Sequence, residues 1–338
     1  MSSSLARAAA ALRRLLLPDT FTVLLLCTVA IASVLPCEGQ AALVFGKVTT
    51  FAIGLLFFLH GAKLSREAML SGLANWRLHL LVLASTFVMF PLLGLAMKPL
   101  ATSMVPSNLY IGILFLCTLP STVQSSIAFT SVARGNVAAA VCSASASNFA
   151  GIFISPLLVG MLIVHGAGDA GGGKGSALDA IVTIVEQLLL PFLAGQFLRP
   201  WIGGWVDRNK PMLKIVDQGS ILLVVYTAFS ESVNEGLWHK LSLPTLVGLG
   251  VLCCVLLALA LGLSTYASRR LGFSREDEIT IVFCGSKKSL SSGIPMAKVM
   301  FSQGALGMVI LPLMLFHQIQ LMVCAILAAR WAQRTESR

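Results

Sequence analysis

The sequence predicts an all-α membrane protein of ten transmembrane helices in two inverted five-helix repeats, with the fourth and ninth helices discontinuous. Three observations carry that prediction. Of 338 residues, 57% are hydrophobic and 11% charged, and the mean hydropathy of +0.87 lies outside the range of soluble globular chains. The apolar residues fall in blocks of roughly 17 to 25, the length that crosses a bilayer core. Lysine and arginine are abundant in alternate connections only, as they are when successive loops lie on opposite sides of a membrane.

The first span is read at 16–36. Arg7, Arg13 and Arg14 ahead of it imitate the basic region of a signal peptide, but no good cleavage site follows, and Pro36 before Cys37 is a poor lipoprotein signal. Spans at 43–61, 78–97, 108–132 and 137–164 complete the first repeat, residues 1–164. Residues 165–177 contain GAGDAGGGKGS, whose glycines make a flexible external linker. The second repeat, 178–330, holds spans at 178–198, 215–232, 244–267, 277–300 and 304–329, and 331–338 form a tail. The seventh span rests on the shortest apolar run, Ile221 to Phe229, which Met212 to Val216 extends.

One set of connections carries Arg7, Arg13 and Arg14, then Lys63, Arg66 and Arg77, then Arg134, and later Arg199, Arg208, Lys210 and Lys214. Arg269, Arg270, Arg275, Arg330, Arg334 and Arg338 continue it, whereas Lys47, Lys98, Lys174, Lys240 and Lys298 are the basic residues of the other set. Both termini are therefore expected in the cytoplasm. Five spans per half is an odd number, so the second half enters from the opposite side and the repeat is inverted.

The net charge of +10 does not indicate a nucleic-acid partner, because the basic residues sit in short clusters between apolar blocks rather than on one face. The eight cysteines lie mostly inside apolar runs with no C-x-x-C spacing, so neither a disulfide framework nor a zinc site is expected. No spaced nucleophile, base and orienting acid appears within the spans, and no enzymatic activity is expected.

The fourth and ninth spans are the anomalous pair, each interrupted by proline, glycine and hydroxyl residues. Interrupted helices at matching positions of two repeats point to a transport site, since unwinding frees carbonyls and helix ends to bind solute or ions. In TLPSTVQSS, Pro120 removes a backbone donor while Ser121, Thr122, Gln124, Ser125 and Ser126 can line a polar cavity; packing through small residues is the competing explanation. In FCGSKKSLSSGIPMAK, Gly285, Ser286, Lys287, Lys288 and Ser289 occupy the break. A lysine at mid-bilayer costs about 2.5 to 3.5 kcal/mol on insertion scales, so these two are expected in a protein-lined or watery place, binding an anionic group or titrating. Neighbours on a helix point about 100° apart, so one lysine is expected to face a cavity and the other a carbonyl or the interface, unless the segment is unwound. Weaker candidates inside spans are Asn148, Glu186, Gln187, Gln196, Glu231, His317, Gln318 and Gln320, with Glu186 or Glu231 as a counter-ion for a lysine.

Five segments together resemble the bile acid:sodium symporter superfamily, and within it the SBF-like branch: FLHGAKLS (58–65), LPSTVQSSIAFTSVARGN (119–136), SNFAGIFISPLLVG (147–160), LLPFLAGQ (189–196) and FCGSKKSLSSGIPMAKVMF (283–301). The resemblance runs nearly end to end. It implies a panel of spans 1, 2, 6 and 7 and a core of the other six, in which the two broken spans cross. Sodium-coupled members carry a glutamate and a glutamine in the ninth-span break; here Phe283 and Lys287 stand at those positions. With Ser125 and Ser126 near the family's fourth-span ligands, the resemblance implies sodium, if coupled at all, at Ser125, Ser126 and Asn148, with a lysine ammonium replacing one cation.

The expected function is secondary active transport of a small organic anion through the plasma membrane, which for a bacterial chain is the inner membrane. No other cofactor is expected, and the partners are the solute and the lipid bilayer. A human member of the branch associated with calcium homeostasis supplies the alternative, a membrane regulator that transports nothing.

Overall fold

The computed structural model describes residues 20–63, 75–164, 185–234, 236–301 and 306–336. Arg7, Arg13, Arg14, Arg66, Lys174, the linker at 165–177 and the start of the sixth span lie outside them. The described residues are helical, with no strand.

Helix α1 is Thr20–Val34, α2 Gly39–Lys63, α3 Trp76–Ala96, α4 Lys98–Met104, α5 Ser107–Thr118, α6 Val123–Val132 and α7 Val137–Ile163. In the second half, α8 is Leu190–Arg208, α9 Lys210–Asn234, α10 Leu243–Arg270, α11 Arg275–Gly285, α12 Leu290–Met300 and α13 Leu306–Glu336. Six of these, α2, α3, α7, α9, α10 and α13, are long and apolar enough to cross a membrane alone, and α5 with α6 makes a seventh candidate bent by 64°. Helix α1 has only 15 described residues, and the α11–α12 pair carries an acidic first turn and three lysines, so neither meets a simple apolarity criterion.

Boundaries differ from expectation at three places. Helix α8 runs past the predicted end at 198, through Pro200, to Arg208; a proline removes one donor from a helix but does not stop one that neighbours hold. The seventh span, read from a short apolar run, is a 25-residue helix, in which Leu213, Ile221, Val224, Val225 and Phe229 are buried together with Ser220, Thr227, Ser230 and Ser232. Helix α13 continues through the start of the segment read as a tail.

Side-chain caps fix several starts. Asn136, Ser242, Ser274 and Ser289 accept from the backbone N–H three residues on, and Glu276, Asp277 and Glu278 complement the amino end of α11. Helices α1, α2, α8 and α9 form one packed group, and a second forms around α5, which packs on α3, α4, α7 and α13, and α11, which packs on α3, α6, α7 and α10. Helix α9 joins the two groups by packing on α12 and α13.

Helices α2 and α8 touch backbone to backbone. A Cβ on Gly61 would lie 2.1 Å from the Phe192 carbonyl oxygen, and one on Gly195 would lie 2.0 Å from that of Phe58. Only glycine allows this approach from either side.

Candidate functional site: two helix breaks around two lysines

The breaks at 119–122 and 286–289 lie against each other, and backbone groups freed by unwinding find partners across the junction. Ser289 N donates to Pro120 O at 2.9 Å. Ser121 Oγ donates to Cys284 O at 2.5 Å, Ser126 Oγ to Phe283 O at 3.1 Å and Thr122 Oγ1 to Lys288 O at 2.8 Å. The Phe283 and Cys284 carbonyls at the end of α11 and the Lys288 carbonyl in the break are thus satisfied by hydroxyls of α6 and of the other break, as orphaned helix-end groups must be in a membrane.

Neighbouring helices finish the framework. Ser147 Oγ receives Ser121 N at 3.0 Å and Ser155 Oγ donates to Thr118 O at 2.7 Å. Asn148 Nδ2 donates to Ser121 O at 2.6 Å, and its Oδ1 accepts from Ser292 Oγ at 2.9 Å. Gln320 on α13 accepts from Lys288 N and donates to Lys288 O, both at 3.0 Å, and itself contacts His317 Nδ1 at 2.9 Å.

Lys287 and Lys288 are both fully buried, at 0% exposure. The segment carrying them is unwound, so the helical expectation that one would reach the interface does not apply and both ammonium groups turn inward. Lys288 Nζ donates to Thr86 O at 2.8 Å, Cys117 O at 2.9 Å and Leu119 O at 2.8 Å, with the Phe90 ring centroid 4.1 Å away. An ammonium has three donors and no acceptor, and each donor here has a backbone carbonyl. Lys287 Nζ donates to Ser125 O at 2.8 Å and lies 3.8 Å and 5.2 Å from the ring centroids of Phe129 and Phe283. Aromatic faces supply negative potential to a cation.

The acceptors have local causes. Cys117 O is free because Ser121 N bonds to a serine rather than closing a helical turn, and Leu119 O lies in the break itself. Thr86 O is free because α3 contains a π turn at Ser85–Met89, in which the Phe90 N–H bonds to Ser85 O, one residue further back than in an α-helix.

Among the described residues no carboxylate forms an ion pair with Lys287 or Lys288, and neither expected counter-ion is beside them. Glu231 pairs with Lys298, its oxygens 2.8 Å and 3.0 Å from Nζ, and Glu186 is exposed on a π turn, Val185–Leu189, ahead of α8. Gln187 is half-buried on that turn and Gln318 half-buried on α13, while Gln196 Nε2 donates to Gly61 O at 2.9 Å. Gln124 is exposed. Ser286 Oγ donates to Val282 O at 2.6 Å and Gly285 packs on Ser85 of α3. Of the residues expected around sodium, Ser126 and Asn148 use their side chains within the framework, and the Ser125 carbonyl receives Lys287. Ser125 Oγ is buried with no partner among the described residues.

Sequence reasoning did not identify Thr86, Cys117 or Leu119, whose role is carried by main-chain oxygens and leaves no side-chain trace. It also passed over Phe90 and Phe129, apolar residues like any others in a span until the ammoniums are placed beside them.

The fold and junction define a polytopic helical membrane protein with a pair of broken helices, the arrangement that carriers use to hold solutes and ions. The chain belongs to the SBF-like CPA transporter family, whose model matches residues 19–333. It is 66% identical over 320 residues to "Uncharacterized protein PA2026" of Pseudomonas aeruginosa, covering 95% of each chain. It is 56% identical to "Putative symporter YfeH" of Escherichia coli, covering 94% of each. Similarity extends to "Sodium/bile acid cotransporter 7" of Danio rerio, 30% identical over 83% of this chain and 82% of that one.

Proposed function

We propose that this protein is a secondary active carrier of a small organic anion in which Lys287 and Lys288 take the place of coupled cations. The observation that carries the reading is the Lys288 cage, where one ammonium is held by three main-chain oxygens with no acid beside it. Dehydrated metal cations are held by oxygen ligands of this kind, and a lysine supplies the charge on a tether, so a free sodium ion would meet electrostatic repulsion there. Two uncompensated positive charges beside the break favour an anionic solute, and the unpartnered Ser125 Oγ offers it a polar contact. The relatives named for bile acids are a distant precedent for that solute class only.

The wider reading comprises ten spans, inverted repeats, cytoplasmic termini and a plasma-membrane location. The alternating arginine and lysine bias supports it, as does the pairing of broken helices at equivalent positions of the two halves. Alternating access is supported by the separation of α1, α2, α8 and α9 from the rest, with the Glu231–Lys298 pair and the Gly307 N–Ser232 Oγ bond bridging the groups. Reporter fusions test the topology: one after residue 169 is expected to read external and one at the C-terminus cytoplasmic.

The mechanism is tested by thermal unfolding of purified protein in sodium, potassium or choline chloride. The parent chain is expected to show no sodium-specific shift, whereas Lys288→Ala, which leaves the carbonyl cage without its ammonium, should gain one through ligand linkage. Sodium-specific stabilisation of the parent, or sodium-driven uptake unchanged in Lys287→Met, would overturn it.

A further inference from the structure

Apart from the junction, the molecule carries a laterally open groove of about 750 Å³ between α10 and α13, at the arginine-rich end of the bundle. Leu261, Val323, Ile326 and Leu327 form its apolar walls, and a Cβ added at Gly262 would meet only open space. From Ala258 to Arg270 the groove follows thirteen residues of α10, a rise of about 18 Å at 1.5 Å per residue. That is close to the roughly 15 Å depth of one leaflet's hydrocarbon.

Its mouth is basic and aromatic. Arg269, Arg270 and Arg330 rim it, with Tyr266 and Trp331 at the same level. Arg269 is engaged by Glu278, which also pairs with Arg275. Among the described residues, Arg270 and Arg330 have no carboxylate partner, and the Arg270 guanidinium lies 5.3 Å over the Tyr266 ring. Trp331 is held from behind by Phe283 at 5.3 Å and by the Arg275 guanidinium at 4.8 Å, so this wall is built before anything enters.

An apolar channel of leaflet depth, ending at two uncommitted arginines, suits a hydrocarbon chain attached to a phosphate. The geometry points to a binding site for one anionic phospholipid, its acyl chain along α10 and α13 and its phosphate between Arg270 and Arg330. A second copy of the protein seated face to face would bring its own arginines against these, so like charges oppose that occupant. Near a membrane surface each basic side chain contributes about 1 kcal/mol toward anionic lipid, so two give a preference of roughly 30-fold over a zwitterionic one.

The test is native mass spectrometry of the detergent-purified, delipidated chain with dioleoylphosphatidylglycerol, dioleoylphosphatidylcholine or glycerol 3-phosphate added at equal concentration. Phosphatidylglycerol adducts should exceed phosphatidylcholine adducts by roughly that factor, and glycerol 3-phosphate should give none. Arg270→Gln with Arg330→Gln should remove the preference while thermal unfolding stays unchanged, and Ile326→Trp, which fills the groove, should weaken both lipids. Equal binding of the two lipids, a preference that survives the double substitution, binding of glycerol 3-phosphate, or a dimer in place of lipid adducts would overturn the assignment.

Discussion

Two of the close backbone contacts among the described helices are made by opposite means. Helices α2 and α8 meet through Gly61 and Gly195, where side chains have been removed and both helices stay intact. The α5–α6 and α11–α12 pairs meet where the helices themselves have been removed over a few residues, so main-chain oxygens and nitrogens face one another. The first contact leaves both helices wound, and the Gly61 and Ala62 carbonyls at the end of α2 are taken up by Gln196 and Arg199 of α8. The second must be completed by hydroxyls, amides and ammonium groups, so it has chemistry to offer. Close approach in a membrane is thus compatible with either rigidity or a binding site, depending on whether the side chain or the helix gives way.

Substitutions should separate the two contacts. Gly195→Val is expected to have the largest effect, since its side chain would collide with backbone that cannot retreat; overpacking of this kind costs about 3 kcal/mol or more. The check is a large fall in thermal midpoint that is the same in every salt. Next comes Lys288→Met, which leaves three buried carbonyls without a donor, at about 1 kcal/mol or more each. It should melt well below the parent, and parent-like melting would break the comparison by showing that the cage needs no cation. Gln320→Leu removes the partner of Lys288 N and one partner of Lys288 O, for about 1 to 3 kcal/mol, measured in the same way. Lys287→Met should lose about 1 kcal/mol, having one carbonyl and two aromatic faces at stake. Glu231→Gln should be smallest, within about 1 kcal/mol, because the amide keeps a hydrogen-bond acceptor for Lys298 in this mostly buried pair. A larger fall there would place the third intraspan lysine with the other two.

Much of this was legible in the sequence, for identifiable reasons. Long apolar helices such as α3, α7 and α10 declare themselves because lipid and protein core select the same residue types. The breaks were legible because Pro120, Gly285 and the hydroxyl clusters have few uses inside an apolar run other than interruption. The buried lysines stood out for the same reason. What surrounds them did not: a three-dimensional cage made of Thr86, Cys117 and Leu119 carbonyls depends on which peptide groups are left over, and side-chain identity does not record that. Glu186 and Glu231 were reasonable counter-ions by charge alone, yet Glu231 is spent on Lys298 and Glu186 is exposed on the π turn ahead of α8. The extent of α9 was obscured because polar residues such as Lys214, Asp217, Gln218 and Glu231 are interspersed along it, which lowers the average that a linear reading uses.

The π turn at Ser85–Met89 has a consequence of another kind. It accommodates one extra residue within a helix that otherwise keeps its course, so the Thr86 oxygen became available through a length change and not through an exchange of one amino acid for another. Deleting a single residue between 85 and 89 would restore ordinary winding and rotate one half of α3 by about 100° relative to the other. The Thr86 carbonyl, whose partner four residues on would then be Pro91 with no N–H to give, would be turned relative to Lys288 while every side chain of the cage was kept. A lineage could gain or lose the third ligand of Lys288 by such an insertion or deletion, a route invisible to any comparison that counts only substitutions.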